Sequence, residues 1–477
     1  DGADFSGFTG DVVATGGVTS ASRFGYPGTI YLEKPADNGR GELVIRGSGT
    51  MRSTVYIDSA TIDYRLYATE LSASCGPSTY DFGRVTLTNG AYLGIAAGTT
   101  VTFREVVGQA AANSYIALLG GTVLLPSGYA LTNTTIAVFK PGSGLHSIGA
   151  AAGADRLAFG SGGRLLVDFD WTYDGDLHVL EGGAMLHTGN RYVDRNWRLN
   201  LGVTGNLTVD SNGCVDVSGL GYLGKCGPGR GLTKGASHGG LAYLDTATNV
   251  CYGSVRKPTN IGSGGRINDA DGRGGGAMRL TVGDTLTVNG TVKATGNDSN
   301  YSVGAGGSIW LTAKRLRGSG EINADGAKAR DNYYSGGGGR IALYLTDPDE
   351  TFDSFTGTVH AYGGRDNLGV IRSGCGSVYY HLANEAGDGG LLVFDNGGCT
   401  YGTQTEISTG VTDVAVANVL VTNGASVRVQ QDSTIVFGGD WSNHGDFRGE
   451  ASDANHAAGT VIATNAAATS TLRGTTT

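Results

Sequence analysis

Four aspartates crowd one short stretch, VDFDWTYDGD, as Asp168, Asp170, Asp174 and Asp176. Asp168 and Asp170 stand two apart, which puts both carboxylates on one face of a strand. Paired carboxylates are what a polysaccharide-cleaving hydrolase uses, and Asp with Lys or Arg and Ca²⁺ is the set for metal-assisted cleavage. The DWxxxGD core returns at 440–447, however, where Asp440 and Asp446 answer Asp170 and Asp176. An active site is normally single, so a recurring motif reads better as a turn.

The remaining chemical candidates are thinner. GAGGSIWL at 304–311 has the glycines of a phosphate cradle. A dinucleotide fingerprint needs strand, GxGxxG and then a helix, whereas here the glycines precede a strand. DADG at 269–272 starts like a Ca²⁺ loop, but the closing Glu is missing at its spacing. Eight histidines are scattered, at 146, 178, 187, 238, 360, 381, 444 and 456. No HExxH and no CxxC supports zinc. The sequence therefore assigns no catalytic residue, no cofactor and no metal site, with Ca²⁺ the one ion left open.

The elements that would position any such group are strands. Of 477 residues 84 are Gly, against a usual ~7%. Gly, Ala, Val, Thr and Ser are poor helix material and suit short strands joined by tight turns. The formal charge is −9 and no basic block occurs, which argues against nucleic acid. No apolar run approaches the ~20 residues of a membrane helix. The chain opens on DGADFSGFTG without Met and reads as a processed, exported fragment.

Repeats organise the chain. Gly290, Val292, Ala294 and Gly296 recur thirty residues on as Gly320, Ile322, Ala324 and Gly326. Ile309 and Leu311 return as Ile341 and Leu343 in GGGGRIALYL. Alternation of Ile341, Leu343 and Leu345 with Ala342 and Tyr344 is strand periodicity, one face in and one face out. A unit this small cannot bury its apolar face alone, and stacking the units does. The fold class expected is all-β, a right-handed parallel β-helix (β-solenoid) with rungs of about 30 residues.

A longer repeat links the two ends. DFSGFTGDVVATGG at 4–17 matches TFDSFTGTVHAYGG at 351–364. GTIYLEKPADNGRGELVI at 28–45 matches GSVYYHLANEAGDGGLLVF at 376–394, and 85–103 matches 419–437. The expected organisation is an N-terminal solenoid part at 1–219, Gly-rich repeats at 220–346 and a C-terminal block at 347–477. Residues 1–103 resemble 347–437, and all three parts are read as one rod. Neither end reads as a polar cap, so strand edges are expected to stack head to tail. The residues expected at those ends are Asp4, Phe5, Phe8, Leu472 and Thr475.

Six cysteines in an apparently exported chain suggest disulfides. Cys375 and Cys399 flank two strands of the C-terminal block, and both are absent from the N-terminal copy. That joint absence predicts a Cys375–Cys399 bond. Cys226–Cys251 is the next pairing, with Cys214 a competitor and Cys75 left over.

Taken together, GPGRG at 227–231, SHGG at 237–240, GSGG at 262–265, GGGAMRL, GAGGSIWL and GGGGRIALYL follow in that order. Near the end come Trp441, Gly445, Phe447 and GTVIATNAAATSTLRGTTT. This resembles the very large Gly-rich β-solenoid surface proteins of environmental bacteria. The resemblance spans roughly 220–477 and, through the internal repeat, 1–103. It implies an extracellular, adhesin-like or fibre-forming protein at the cell surface, and supplies no catalytic residues. The function expected is non-enzymatic and structural: a section of a filament or long adhesin whose partner is itself or further repeats, with surface glycans as ligands. The alternative is a carbohydrate-binding or polysaccharide-cleaving β-helix. A lone charged cluster would favour the enzyme, and evenly spread polar faces the fibre.

Overall fold

The computed structural model describes residues 28–47 and 69–443, apart from 75, 111–113, 191–196, 233, 244–249, 267–271, 299–302, 330–333, 367, 371–372, 400–402 and 431. It also describes 12, 14, 18–20, 23–24, 446–448 and 460–463. Asp4, Phe5, Phe8, Leu472, Thr475 and Cys75, and residues 269–271 of DADG, lie outside the described residues. The described chain is strands and connecting turns, with two 3-10 pieces at Pro35–Asp37 and Phe352–Ser354. It is a parallel β-solenoid that divides into two compact units.

The first unit holds 1–186 and 202–214. Leu93, Ile116, Ile136, Leu165 and Met185 pair in succession along one of its parallel sheets, and each is fully buried. A second sheet stacks Val101, Val123 and Leu145, and a third stacks Leu157, Leu177 and Leu207. The rung length here departs from the expected thirty. Leu93 pairs with Ile116 across 23 positions, and Ile116 with Ile136 across 20. Short turns suffice because Asn and Gly at rung corners adopt left-handed backbone, as at Asn133 (φ 51°) and Gly98 (φ 76°).

The second unit holds 187–201 and 215–477. Ala277–Val288, Ser308–Arg317, Arg340–Leu345 and Ser377–His381 stack in parallel, aligning Leu280, Leu311 and Leu343. Thr291–Lys293, Glu321–Asn323 and Thr358–His360 form a second sheet. Glycines that precede a strand commonly turn the chain. Instead, Gly304, Gly306 and Gly307 avoid left-handed backbone, and what they provide is close approach. Gly306 N–H donates to Gly337 O and Gly275 N–H to Ala305 O. A Cβ on Gly307 would lie 1.9 Å from Gly276 O. Across this glycine layer runs the segment 236–241. Gly337 N–H bonds Ala236 O, Gly239 N–H bonds Gly338 O, and Gly374 N–H bonds Leu241 O, so one extended strap ties successive rungs.

After Ser377–His381 the chain reverses. Leu391–Asp395 pairs antiparallel with it, and Asn418–Thr422 and Trp441–Asn443 then follow in parallel. The C-terminal block thus continues the same sheet through one antiparallel step, after which pairing is parallel again. Its core gathers Leu392, Phe394, Val421, Val427, Ile435 and Trp441 against Tyr379 and Ala342. This corrects the one-face-in pattern expected of RIALYL. Ala342 is as buried as Ile341, because that second core covers its side of the sheet.

The block repeat is real at the level of single bonds. Ile30–Leu32 and Glu42–Arg46 form the same antiparallel hairpin as Ser377–His381 and Leu391–Asp395. Gly28 N–H donates to Ala14 O at 2.7 Å, and its counterpart Gly376 N–H donates to Ala361 O at 2.7 Å.

Candidate functional site

Two of the four aspartates, Asp174 and Asp176, resolve as turn fasteners, while Asp168 is buried and Asp170 exposed. Asp174 accepts from Gly153 N–H and the Thr204 hydroxyl, and Asp176 from Asn206 N–H at 2.7 Å. Carboxylates that cap backbone N–H groups of the neighbouring rung hold the stack together.

The sequence reads as lacking a serine nucleophile elbow, yet one stretch matches it in letters. GASHG at 235–239 has the letters of a GxSxG nucleophile elbow. The context is wrong for one, since this stretch is the strap and lacks the strand–turn–helix frame. Ser237 and His238 are fully buried, and the Ser237 hydroxyl accepts from Ala242 N–H at 2.8 Å. Burial, reinforced by the Arg340 charge, pushes the His238 imidazole down to about 3, so it stays neutral and bonds Gly306 O.

Arg340 is the other group sequence reasoning missed. It sits fully buried in the column of Ser308 and Ser377. Its Nε donates to Tyr252 O at 2.8 Å and its Nη1 to Ser377 Oγ at 3.0 Å. The signal available was an Arg where the aligned rungs carry small residues. Burial lowers its guanidinium to about 10, still charged at neutral pH.

A titratable cluster lies on the second sheet, where His360 meets Asp325 and Glu321 of the preceding rung. His360 Nδ1 is 2.9 Å from Asp325 Oδ1, and Nε2 is 3.1 Å from Glu321 Oε1. Tyr362 stacks on the ring at 4.5 Å, and its N–H bonds Asp325. Burial raises the Asp325 carboxyl, opposed by its bond to His360. Burial works to lower His360, but the Asp325 bond and the two carboxylate charges outweigh it and raise its pKa. Both ring nitrogens are engaged, so the cluster is a proton-holding clamp between rungs.

A groove of about 650 Å³ opens beside it. Thr351 caps the 3-10 turn Phe352–Ser354, which folds the 346–357 connection back over the sheet. Phe352 then meets Tyr380 edge-on, with ring centroids 5.0 Å apart. Phe355, Leu382 and Leu391 complete an apolar floor, and Asp353 and Glu385 stand at its margin. Aromatic faces flanked by hydrogen-bonding carboxylates suit the apolar faces and hydroxyls of a sugar.

Neither expected disulfide is formed in the structure. No disulfide joins any two of the described cysteines 214, 226, 251, 375 and 399. Cys375 lies inside the second core with its Sγ 3.3 Å from Thr405 Oγ1, whereas Cys399 sits in the turn after Leu391–Asp395. Cys251 belongs to that same core, while Cys226 is half-buried where its carbonyl meets Gly264 N–H.

Ion pairs occur along both units, with one network at Arg315 and Arg317. Arg40 and Arg104 meet Asp81, Arg84 meets Glu105, Lys293 meets Asp216, Arg315 meets Asp284 and Asp347, and Arg317 meets Glu350. Among the described residues no group of three or more His, Cys, Asp or Glu is arranged to hold a metal ion. No helix among them is long and apolar enough to cross a membrane.

No family model, no curated protein and no solved structure matches this chain.

Proposed function

We propose that this chain is a non-enzymatic, extracellular structural protein, a repeating section of a bacterial surface filament or long adhesin. The observation that carries the reading is the reuse of one antiparallel hairpin. The same hairpin, with the same Gly-to-Ala bond at its base, opens a run of parallel pairing at 28–46 and again at 376–395. A module that both closes one parallel run and starts another lets a protein grow by repetition. Ion pairs from rung to rung fit that role, since each holds neighbours in register. Electron microscopy and sedimentation of the purified chain at rising concentration test it. Extended particles or end-to-end assemblies are expected, and compact monomers at every concentration would overturn it.

A second reading rests on the groove of Phe352, Phe355 and Tyr380. A surface rod carrying such a groove would hold glycans. Titration with surface polysaccharides should give binding that Tyr380→Ala weakens about tenfold, the loss expected of one aromatic platform at ~1.4 kcal/mol. Equal binding by chain and variant would dismiss the groove.

A further inference from the structure

The two hairpins match in sequence and in hydrogen bonding but differ in one neighbour. On the outer edge of Ser377–His381 lies Arg340–Leu345, with Ile341 opposite Val378, Ala342 opposite Tyr379 and Leu343 opposite Tyr380. In the first hairpin, Ile30–Leu32 is the last strand of its four-stranded sheet among the described residues. The consequence is visible in one pair of equivalent side chains. Tyr379 is fully buried, whereas Tyr31 is 45% exposed. Val12, the counterpart of Val359, is 50% exposed.

A second observation points to the same vacancy. Gly376 must be glycine because a Cβ there would lie 1.6 Å from Gly339 O on the neighbouring strand. Gly28 holds the equivalent place, yet a Cβ there would meet only Ala14, at 3.2 Å. Nothing within the described chain demands a glycine at 28, whereas a backbone passing as close as that of Gly339 would.

We propose that the Thr29–Leu32 edge receives a parallel Gly-rich strand of the GGRIAL type, supplied by a rung set ahead of the first block in a tandem of these units. The proposal rests on the repeat-built reading above and names the contact through which units join. The internal copy sets the register: Ile over Ile30, Ala over Tyr31, Leu over Leu32. The Arg would then find the Thr29 hydroxyl, as Arg340 finds Ser377. This replaces the stacking partner expected from the sequence, the stretch around Leu472 and Thr475, with a Gly-rich rung.

The test fuses a second copy of residues 304–350 directly ahead of Asp4 in the otherwise full chain, so that the junction matches the natural step from Glu350 to Thr351. Hydrogen exchange at Thr29 and Tyr31, and nitration of Tyr31, are read with and without the fusion. Docking should slow exchange at both amides on the order of 100-fold, toward Ser377 and Tyr379, and should shield the Tyr31 ring. Ile341→Asp with Leu343→Asp in the added copy alone should restore exchange without disturbing the parent fold. Unchanged exchange and nitration in the fused chain would overturn the proposal. So would protection of the edge in the unfused chain that rises with concentration and is lost on Leu472→Asp, because the terminal stretch would then be the occupant. Either result leaves the microscopy test of the filament reading to be judged separately.

Discussion

Asp325 and His360 belong to successive rungs of one sheet, and their side chains meet at 2.9 Å while Glu321 closes on the far ring nitrogen. Both pKa values are raised in the folded chain. The folded protein therefore holds more protons here than the unfolded one. The stabilisation is complete below the unfolded values and is lost as pH rises through the folded ones.

His360 should thus stabilise the stack most in mild acid. Thermal melts of the chain and of His360→Gln, taken from about pH 5 to 9, should differ by about 1–3 kcal/mol at the acid end. The gap should narrow as pH climbs past the ordinary histidine range near ~6.5. A gap independent of pH would show that the ring matters only for packing.

Glycines in this chain do two different jobs, and alanine separates them. Gly307→Ala drives a Cβ to 1.9 Å from Gly276 O, a backbone atom that cannot swing away. It should cost ~3 kcal/mol or more, the range of a core overpacking. Gly98→Ala meets nothing within 4 Å and suffers only from its φ of +76°, which should cost about 1 kcal/mol. Denaturant melts of the two variants should fall in that order, and equal losses would contradict the close-approach role.

Arg340 links the backbone at Tyr252 to the sheet through Tyr252 O and Ser377 Oγ. Arg340→Ala leaves a cavity and strips partners from two buried acceptors, a loss of about 3–5 kcal/mol. Arg340→Met keeps the volume without the charge and should cost clearly less. The comparison is made by urea denaturation, and a Met variant as weak as the Ala variant would show that the bonds, not the volume, dominate.

Cys251 and Cys375 are buried, and burial pushes both thiols up to about 12. Neither should react with an alkylating agent in the folded chain, since the thiolate is the nucleophile, and both should react on unfolding. Half-buried Cys226 should label first of these three. Mass mapping that recovered a Cys375–Cys399 crosslink from native protein would reverse this assignment.

The sequence by itself determined the class of fold and its repeats. Alternation in RIALYL and the thirty-residue echo of INADG fix strands and stacking, because period-two burial and a small unit leave no other way to cover the apolar face. The block repeat predicted that 28–45 and 376–394 share a structure, and they share it down to a single hydrogen bond. What only the tertiary structure decided is direction and neighbourhood. A local pattern cannot say that the chain reverses at Ser377–His381, because an antiparallel hairpin and one more parallel rung demand the same alternation. Nor can it say that Ala342 is buried on its outward side, or that Gly304–Gly307 lie flat against other backbones instead of turning. Those facts depend on residues far apart in the chain, such as Leu241 meeting Gln404 and Arg340 meeting Tyr252. Tyr31 and Tyr379 carry the difference in one pair of side chains: the same residue in the same hairpin, exposed or buried according to what lies alongside.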